Sequence, residues 1–184
     1  MGRHHGKPVL QTERLVLSPM TWDDYPDLCL LDGDAEVMRY LDRPRTPEQV
    51  RVKLQEWLAP STAALDLGFW VGRQGRKFVG WWLLEPAGPG IAEIGWRLMP
   101  AAWGRGLATE GARELLRHGF GAVGLTHVYA ETMAVNRRSR AVMERLGMTH
   151  TRSWHQEFDD PLPGAEHGEV RYDLSAESWA PVGP

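Results

Sequence analysis

The stretch PAAWGRGLATEG, residues 100–111, decides how the chain is interpreted. Gly104 and Gly106 flank an arginine directly ahead of a segment with helical spacing, where serine or aspartate is the usual cap. A helix that begins on glycine leaves its first backbone N–H groups without a side-chain acceptor, and its dipole adds partial positive charge there. Glycine also lets an oxyanion approach the backbone without a Cβ in the way. The stretch therefore predicts a phosphate cradle, with a close-packed turn between helix and sheet as the alternative.

Extended segments precede this stretch, and another follows it. Three apolar and aromatic runs separated by turn residues predict an antiparallel meander: LGFWVGRQ at 67–74, KFVGWWLLE at 77–85 and IAEIGWRLM at 91–99. A helix comes next, and THVYAETMAV at 126–135 then predicts a further strand. Because this is a βαβ step, we expect the last meander strand to lie parallel to the strand that contains Glu131.

The rest of the chain completes a mixed α/β order. RLVLSPM at 14–20 predicts a first strand, and TPEQVRVKLQEWL at 46–58 predicts an amphipathic helix with threonine as its cap and proline at its first position. Beyond the βαβ step, NRRSRAVMERLG at 136–147 predicts another helix that ends on glycine. Two late strands are expected within 150–158 and 168–175. The predicted fold class is therefore α/β with a mixed sheet.

The composition argues against several classes of protein. The chain has 184 residues, 42% of them hydrophobic, which suits one domain with one sizeable core. Its formal net charge of -3 provides no large positive field for nucleic acid or an anionic membrane. Cys29 is the single cysteine, so no internal disulfide can form, and the histidines lack metal-ligand spacing. We predict a cytoplasmic protein with no metal, no nucleic-acid partner and no membrane partner.

A specific resemblance adds to this pattern. The GRGLAT run lacks the third glycine of a dinucleotide fingerprint, and the chain contains no P-loop motif. The segments AEIGWRLMPAAWGRGLATEGARELLRHGF at 92–120 and VYAETMAVNRRSRAVMERLGM at 128–148 resemble the GNAT N-acetyltransferases, above all the branch that includes the ribosomal-protein N-terminal alanine acetyltransferases. The resemblance implies one domain over 12–179, between a flexible start at 1–11 and a tail at 180–184. It also implies a mostly antiparallel sheet of about seven strands, with flanking helices and a splayed parallel pair.

The resemblance also assigns a site for acetyl-CoA as cosubstrate. In the family, the glycine turn binds the diphosphate, and the splayed strands bind the pantetheine arm. By resemblance, the backbone of Leu98 and Met99 pairs with the pantetheine amides, and Asn136 and Ser139 match residues beside the pantetheine and the sulfur. The diphosphate loop corresponds to Trp103, Gly104, Arg105, Gly106, Leu107, Ala108 and Thr109.

Two positions depart from the family pattern. Many relatives have glutamine or arginine where this chain has Trp103, so that stacking or packing replaces a polar phosphate contact. Many also have a tyrosine where this chain has Met143, and that tyrosine protonates the leaving thiolate. Ser139 is the nearest candidate for the second task.

Two carboxylates are candidates for the base that takes the proton of an acceptor amine. Glu131 lies on the strand after the glycine helix and Glu93 on the strand before it, each between apolar residues that raise the pKa of a carboxyl group. Glu131 is preferred, because it lies just ahead of Asn136 on the strand that the resemblance places at the splay. The alternative for either residue is a strand-edge carboxylate that faces solvent.

These observations combine into one functional hypothesis and one alternative. The hypothesis is an acetyl-CoA-dependent N-acetyltransferase in which a primary amine attacks the thioester directly. The amine belongs to a protein N-terminus or to a small molecule, and a homodimer is left open. The alternative is a catalytically inactive acyl-CoA-binding module that serves in sensing or partner contact.

Overall fold

The computed structural model describes residues 7–59 and 66–179. A single mixed sheet forms its centre, and the strand order is β1-β2-β3-β4-β5-β6-β8-β7 from edge to edge. Neighbouring strands are antiparallel except for β5 and β6, which run parallel. The eight strands are β1 (Leu10–Gln11), β2 (Val16–Pro19), β3 (Gly68–Gln74), β4 (Lys77–Gly88), β5 (Ile91–Leu98), β6 (His127–Met133), β7 (Thr149–Trp154) and β8 (Glu169–Ser175).

Helices cover both faces of this sheet. The described α-helices are α1 (Tyr25–Asp32), α2 (Ala35–Met38), α3 (Pro47–Trp57), α4 (Leu107–Arg117) and α5 (Arg137–Arg145). Side chains of α1, α2 and α3 share one buried cluster with β3 and β4, and side chains of α4 and α5 share the other. The site described below lies where these layers meet the parallel strand pair.

Local sequence signals explain where α3 begins. The Thr46 hydroxyl accepts a hydrogen bond from the Gln49 N–H at 3.3 Å, and the Gln49 side chain accepts one from the Thr46 N–H at 2.8 Å. This reciprocal pair is a capping box, and Pro47 occupies the first helical position. Val50 and Leu54 are fully buried on the inner face of the helix. The helix predicted from residues 46–58 is confirmed.

The tryptophans of the meander alternate between the two faces of the sheet. Trp70 and Trp82 are fully buried in the cluster that contains α4 and α5. Phe69 and Trp81 belong to the opposite cluster, as the two-residue period of a strand requires. The indole N–H of Trp82 donates to the Ala108 carbonyl at 3.0 Å, which holds the first turn of α4 against β4.

A buried ion pair connects α1 to β5. The Asp32 side chain is fully buried, and its carboxylate lies 2.5 Å from Arg97 Nη1 and 2.9 Å from Arg45 Nη1. Arg97 in turn lies under the Trp81 ring, with its guanidinium carbon 4.9 Å from the ring centroid. Burial lowers the pKa of the Arg97 guanidinium, and the charge of Asp32 opposes that shift.

The predicted mixed α/β fold is confirmed, including the antiparallel meander and the parallel pairing of the strand that contains Glu131. The sheet has eight strands where about seven were expected, because the short β1 pairs with β2. Leu10 of β1 is buried, although residues 1–11 were expected to be flexible. The helix after the glycine turn continues as a π-helical segment, His118–Val123, which no sequence signal indicated. Residues 1–6 and the expected tail at 180–184 lie outside the described residues.

Candidate active site

A groove of about 1290 Å³ is lined by the start of α4, the diverging parts of β5 and β6 and the start of α5. Side chains of α2 and of β4, among them Val37, Trp81 and Leu83, line another part of it. Pockets for small ligands usually measure roughly 300–1,000 Å³. The groove therefore has room for a long ligand together with a second reactant.

The glycine turn forms one end of this groove. Gly104 and Gly106 have φ angles of 69° and 76°, in the left-handed region that favours glycine. Gly106 is the N-terminal cap of α4, and within the described residues no side chain caps this helix end. The first amides of α4, from Leu107 to Thr109, precede the first i to i−4 hydrogen bond, which joins the Glu110 N–H to the Gly106 carbonyl at 3.0 Å. This arrangement fits the anionic diphosphate that the resemblance implies.

The parallel strand pair opens directly beside the turn. Strands β5 and β6 are in register over three positions and the last of them joins Glu93 to Tyr129. Beyond that position β5 continues to Leu98 and β6 continues to Met133, each paired with its other neighbour. Each strand therefore has one edge without a ladder partner here, and the backbone groups on these edges face the gap.

Strand alternation decides which backbone groups of β5 face the gap. The Met99 N–H donates to the Val79 carbonyl at 2.9 Å, so this amide points toward β4. Because backbone groups alternate along a strand, those of Trp96 and Leu98 point the other way, into the gap. The Leu98 carbonyl accepts a hydrogen bond from the Trp103 indole N–H at 2.9 Å. Of the two residues expected to pair with pantetheine, Leu98 faces the gap and the Met99 amide does not.

Two carboxylates lie near the point where the strands diverge. Burial, followed by the charges of Glu131 and Glu85, raises the pKa of Glu93, although the Tyr129 hydroxyl donates a hydrogen bond to it at 3.4 Å. Glu131 has a different environment, since its carboxylate lies 3.4 Å from Arg171 Nη1. The Arg171 guanidinium also stacks on the Tyr129 ring at 3.6 Å. Glu93 thus has a raised pKa in a half-buried setting, and Glu131 is held in an ion pair.

The start of α5 forms the wall opposite the gap. The Asn136 side-chain oxygen accepts from the Ser139 N–H at 3.2 Å, and its amide group donates to the Thr132 hydroxyl at 3.0 Å. Asn136 therefore caps α5 and ties it to β6. Ser139 and the buried Met143 both line the groove one helical turn apart.

Comparison with known proteins identifies this arrangement. A family model described as "Acetyltransferase (GNAT) domain" matches residues 14–149. This chain belongs to the GNAT acetyltransferase family. The resemblance found in the sequence is confirmed, and the protein is an acetyl-CoA-dependent acyltransferase.

A curated relative and two solved structures illustrate the relationship. The relative from Aspergillus fumigatus, named FsC-acetyl coenzyme A-N(2)-transacetylase, is 39% identical over 185 residues, covering 94% of this chain and 78% of that protein. The structure of RimL, a ribosomal L7/L12 alpha-N-protein acetyltransferase in complex with coenzyme A, matches with a TM-score of 0.78 and 19% identity, covering 94% of this chain and 99% of that one. Spermidine N-acetyltransferase from Vibrio cholerae, with CoA and spermine, has a TM-score of 0.78 at 16% identity, covering 91% and 98%. At these identities the two structures bear on the fold alone.

The groove of this GNAT protein brings together most of the residues singled out in the sequence. Met99 and Arg105 are the exceptions among them in the described part of the chain. The Met99 amide bonds to β4, and the Arg105 carbonyl accepts a hydrogen bond from Arg14 Nη1 at 2.9 Å. The predicted residues that line the groove are Glu93, Leu98, Trp103, Gly104, Gly106, Leu107, Ala108, Thr109, Glu131, Asn136 and Ser139.

Sequence reasoning missed Arg14. This residue follows β1, yet it lines the groove beside the glycine turn and forms a 2.5 Å ion pair with Glu110 in the first turn of α4. The two residues are 96 positions apart, so no local spacing could reveal the contact. Only the basic residue at the first position of the first predicted strand was available as a signal.

Within residues 7–59 and 66–179, no helix has the length and apolar composition that crossing a membrane requires. In the same ranges, no three or more His, Cys, Asp or Glu side chains are grouped so that they could hold a metal ion.

Proposed function

We propose that this GNAT protein transfers the acetyl group of acetyl-CoA to a primary amine by direct attack of the nitrogen on the thioester. The observation that carries the proposal is the gap between β5 and β6, which begins at Glu93 and opens into the same groove as the glycine turn. Backbone groups that lack a ladder partner along the gap suit an extended, amide-bearing arm, and the N-terminus of α4 suits a diphosphate. Acetyl-CoA held at the N-terminus of α4 and along the gap would have its sulfur near the Glu93 carboxylate.

The residues of the chain divide the task between binding and proton transfer. Acetyl-CoA supplies the acetyl group as a thioester, so a C–N bond forms and a C–S bond breaks. Glu93 accepts the amine proton, directly or through water, because its raised pKa brings it closer to neutral pH than an ordinary carboxyl group. The Ser139 hydroxyl gives a proton to the departing thiolate, since Met143 has none to give. Asn136 holds the first turn of α5 in place beside them.

We propose Glu93 rather than Glu131 as the base. The Glu131 carboxylate is engaged by Arg171 at 3.4 Å, whereas Glu93 is half-buried and receives a hydrogen bond from the Tyr129 hydroxyl. In this proposal Glu131 acts on Glu93 instead, because its negative charge contributes to the raised pKa of that residue. This proposal differs from the sequence analysis, which preferred Glu131.

We propose a small-molecule amine as the acceptor. The relative with 39% identity has a name that specifies acetyl coenzyme A as donor and a nitrogen, N(2), as acceptor atom. An α-amino group has a pKa near 8, so an appreciable fraction is neutral and nucleophilic at neutral pH. A protein N-terminus presents the same group and is the competing acceptor. Nothing among the described residues favours the inactive sensor.

The test is release of free thiol from acetyl-CoA in the presence of an amine panel. The panel contains amino acids, a polyamine, an aminoglycoside and peptides with free N-termini. We expect thiol release with a small amine and formation of the corresponding amide by mass spectrometry. Glu93→Gln should lose most of this activity, and Glu157→Gln, which changes an exposed carboxylate, should keep it. Acetyl-CoA binding without turnover on any amine would contradict the proposal and support the sensor.

A further inference from the structure

Arg14 reaches from the turn after β1 to the first turn of α4. Its Nε donates to Glu110 Oε2 at 2.6 Å, its Nη2 lies 2.5 Å from the same carboxylate, and its Nη1 donates to the Arg105 carbonyl at 2.9 Å. Its own backbone N–H donates to Glu110 Oε1 at 2.9 Å. The Arg14 side chain therefore joins the carboxylate of α4 to the backbone of the glycine turn.

Glu110 creates an electrostatic conflict for a diphosphate at this helix end. A carboxylate in the first turn favours an isolated helix, but it repels a second anion that binds to the same N-terminus. The Glu110 side chain is only 17% exposed, so water screens its charge poorly. Burial alone would raise the pKa of Glu110, yet hydrogen bonds from Thr12 and Arg14 and the charge of Arg14 hold it below the ordinary value. Glu110 is consequently a carboxylate at neutral pH and needs a counter-charge.

We propose that Arg14 is a positioning residue for the coenzyme, which neutralises Glu110 and so allows the diphosphate to bind at the start of α4. This inference rests on the proposed diphosphate role of the glycine turn. The side chain of Arg14 is 41% exposed and lines the groove, as a residue that faces a ligand must. Its Nη2 would lie 3.5 Å from a Cβ placed on Gly106, so its positive charge adjoins the cradle itself.

The first experiment compares two acetyl donors. Acetyl-CoA carries the diphosphate, whereas acetyl-pantetheine has the same thioester and arm without it. We expect Arg14→Gln to raise the KM for acetyl-CoA at least about tenfold and to leave the KM for acetyl-pantetheine unchanged. Arg117→Gln is the matched control, because it breaks another Arg–Glu pair of α4, with Glu114, outside the groove lining. An equal rise for both donors, or no rise for either, would overturn the proposal.

The second experiment removes the charge that Arg14 neutralises. Gln at position 110 keeps an oxygen that accepts from Thr12 and from the Arg14 backbone, but it carries no charge. We expect Arg14→Gln/Glu110→Gln to recover most of the acetyl-CoA affinity that Arg14→Gln loses. The rise in the KM for acetyl-CoA that Arg14→Gln causes should also become smaller as salt is raised from about 0.01 M to 1 M, because screening weakens the repulsion between Glu110 and the diphosphate. Failure of the double variant to recover affinity rejects neutralisation as the role of Arg14.

A third variant separates this inference from the proposal on which it rests. Gly106→Val places a β-branched residue at a φ of 76°, which distorts the turn itself. If the turn binds diphosphate, this variant raises the KM for acetyl-CoA and not for acetyl-pantetheine. A selective effect of Gly106→Val without one of Arg14→Gln rejects the role of Arg14 alone. No selective effect of either variant rejects the diphosphate site as well.

Discussion

Asp32→Asn should lower the free energy of unfolding strongly, although Asp32 does not line the groove. The change removes a fully buried negative charge that lies 2.5 Å from Arg97 and 2.9 Å from Arg45. The Arg97 side chain is only 8% exposed and would remain as an uncompensated cation between α1 and β5. Removing one partner of a buried ion pair costs about 3–5 kcal/mol, and native domains have about 5–15 kcal/mol in all. Asp32→Asn should therefore lose a large part of the free energy of unfolding.

Urea unfolding followed by tryptophan fluorescence measures this loss directly. We expect the midpoint concentration to fall by about 1–5 M, which is a loss of about 3–5 kcal/mol divided by about 1–3 kcal/mol per molar urea. Asp42→Asn is the matched control, because Asp42 contacts Arg45 at 3.5 Å and its side chain is 56% exposed. That surface pair is worth about 0–1 kcal/mol, so the control should unfold almost like the wild type. Equal midpoints for both variants would refute the view that Arg97 depends on Asp32.

Three further predictions concern the site and the core. Glu93→Gln should reduce kcat by about 10²-fold to 10⁴-fold and abolish the acid limb of the pH–rate profile. The raised pKa of Glu93 places that limb above the usual carboxyl range. If the limb is unchanged in the variant, another group is responsible for it. Gly111→Ala should cost about 1–3 kcal/mol in thermal unfolding, because its Cβ would lie 2.5 Å from the buried Trp82 ring, whereas Gly121→Ala, with nothing within 4 Å, should be neutral. Burial alone would raise the pKa of Asp173, but hydrogen bonds hold it below its ordinary value. The ionised carboxylate therefore stabilises the fold above the unfolded-state pKa, and this stabilisation is lost as pH falls through the folded-state pKa. Asp173→Asn should make the free energy of unfolding depend less on pH between about pH 5 and 2.

Much of the fold could be predicted because its signals are local. The Thr46 capping box, the meander runs and the helical stripe after Gly106 each occupy a few consecutive residues, and the structure has all three. The π-helical segment after α4 was missed, since hydrogen bonds to a carbonyl one residue further back leave no mark on apolar periodicity. Strand β1 was missed because two residues are too few to show alternation.

The same distinction applies to the site: features formed by neighbouring residues could be predicted, and contacts between distant residues could not. The glycine turn stands out in sequence, because its shape follows from its own backbone. Asn136 was singled out by the resemblance alone, and its role as the cap of α5 appears only in the structure. The contact of Arg14 with Glu110 depends on how β1 packs against α4, and no spacing encodes it. The amide direction at Met99 likewise depends on which neighbour pairs with β5, and this is a property of the assembled sheet.

The short parallel register has a mechanical consequence for the whole molecule. In the described chain, the ladder that joins β1–β5 to β6–β8 consists of three residue positions, from Ile91 and His127 to Glu93 and Tyr129. Sheets usually fray at their outer strands, but this one has its weak line in the middle. The buried cluster that contains α4 and α5 crosses this line, with residues of β3–β5 on one side and of β6 and β8 on the other, so any change in width is confined to the cleft beyond Glu93 and Tyr129. A ligand bound in this cleft bridges β5 and β6, so amide hydrogen exchange along both strands should slow when the ligand is present.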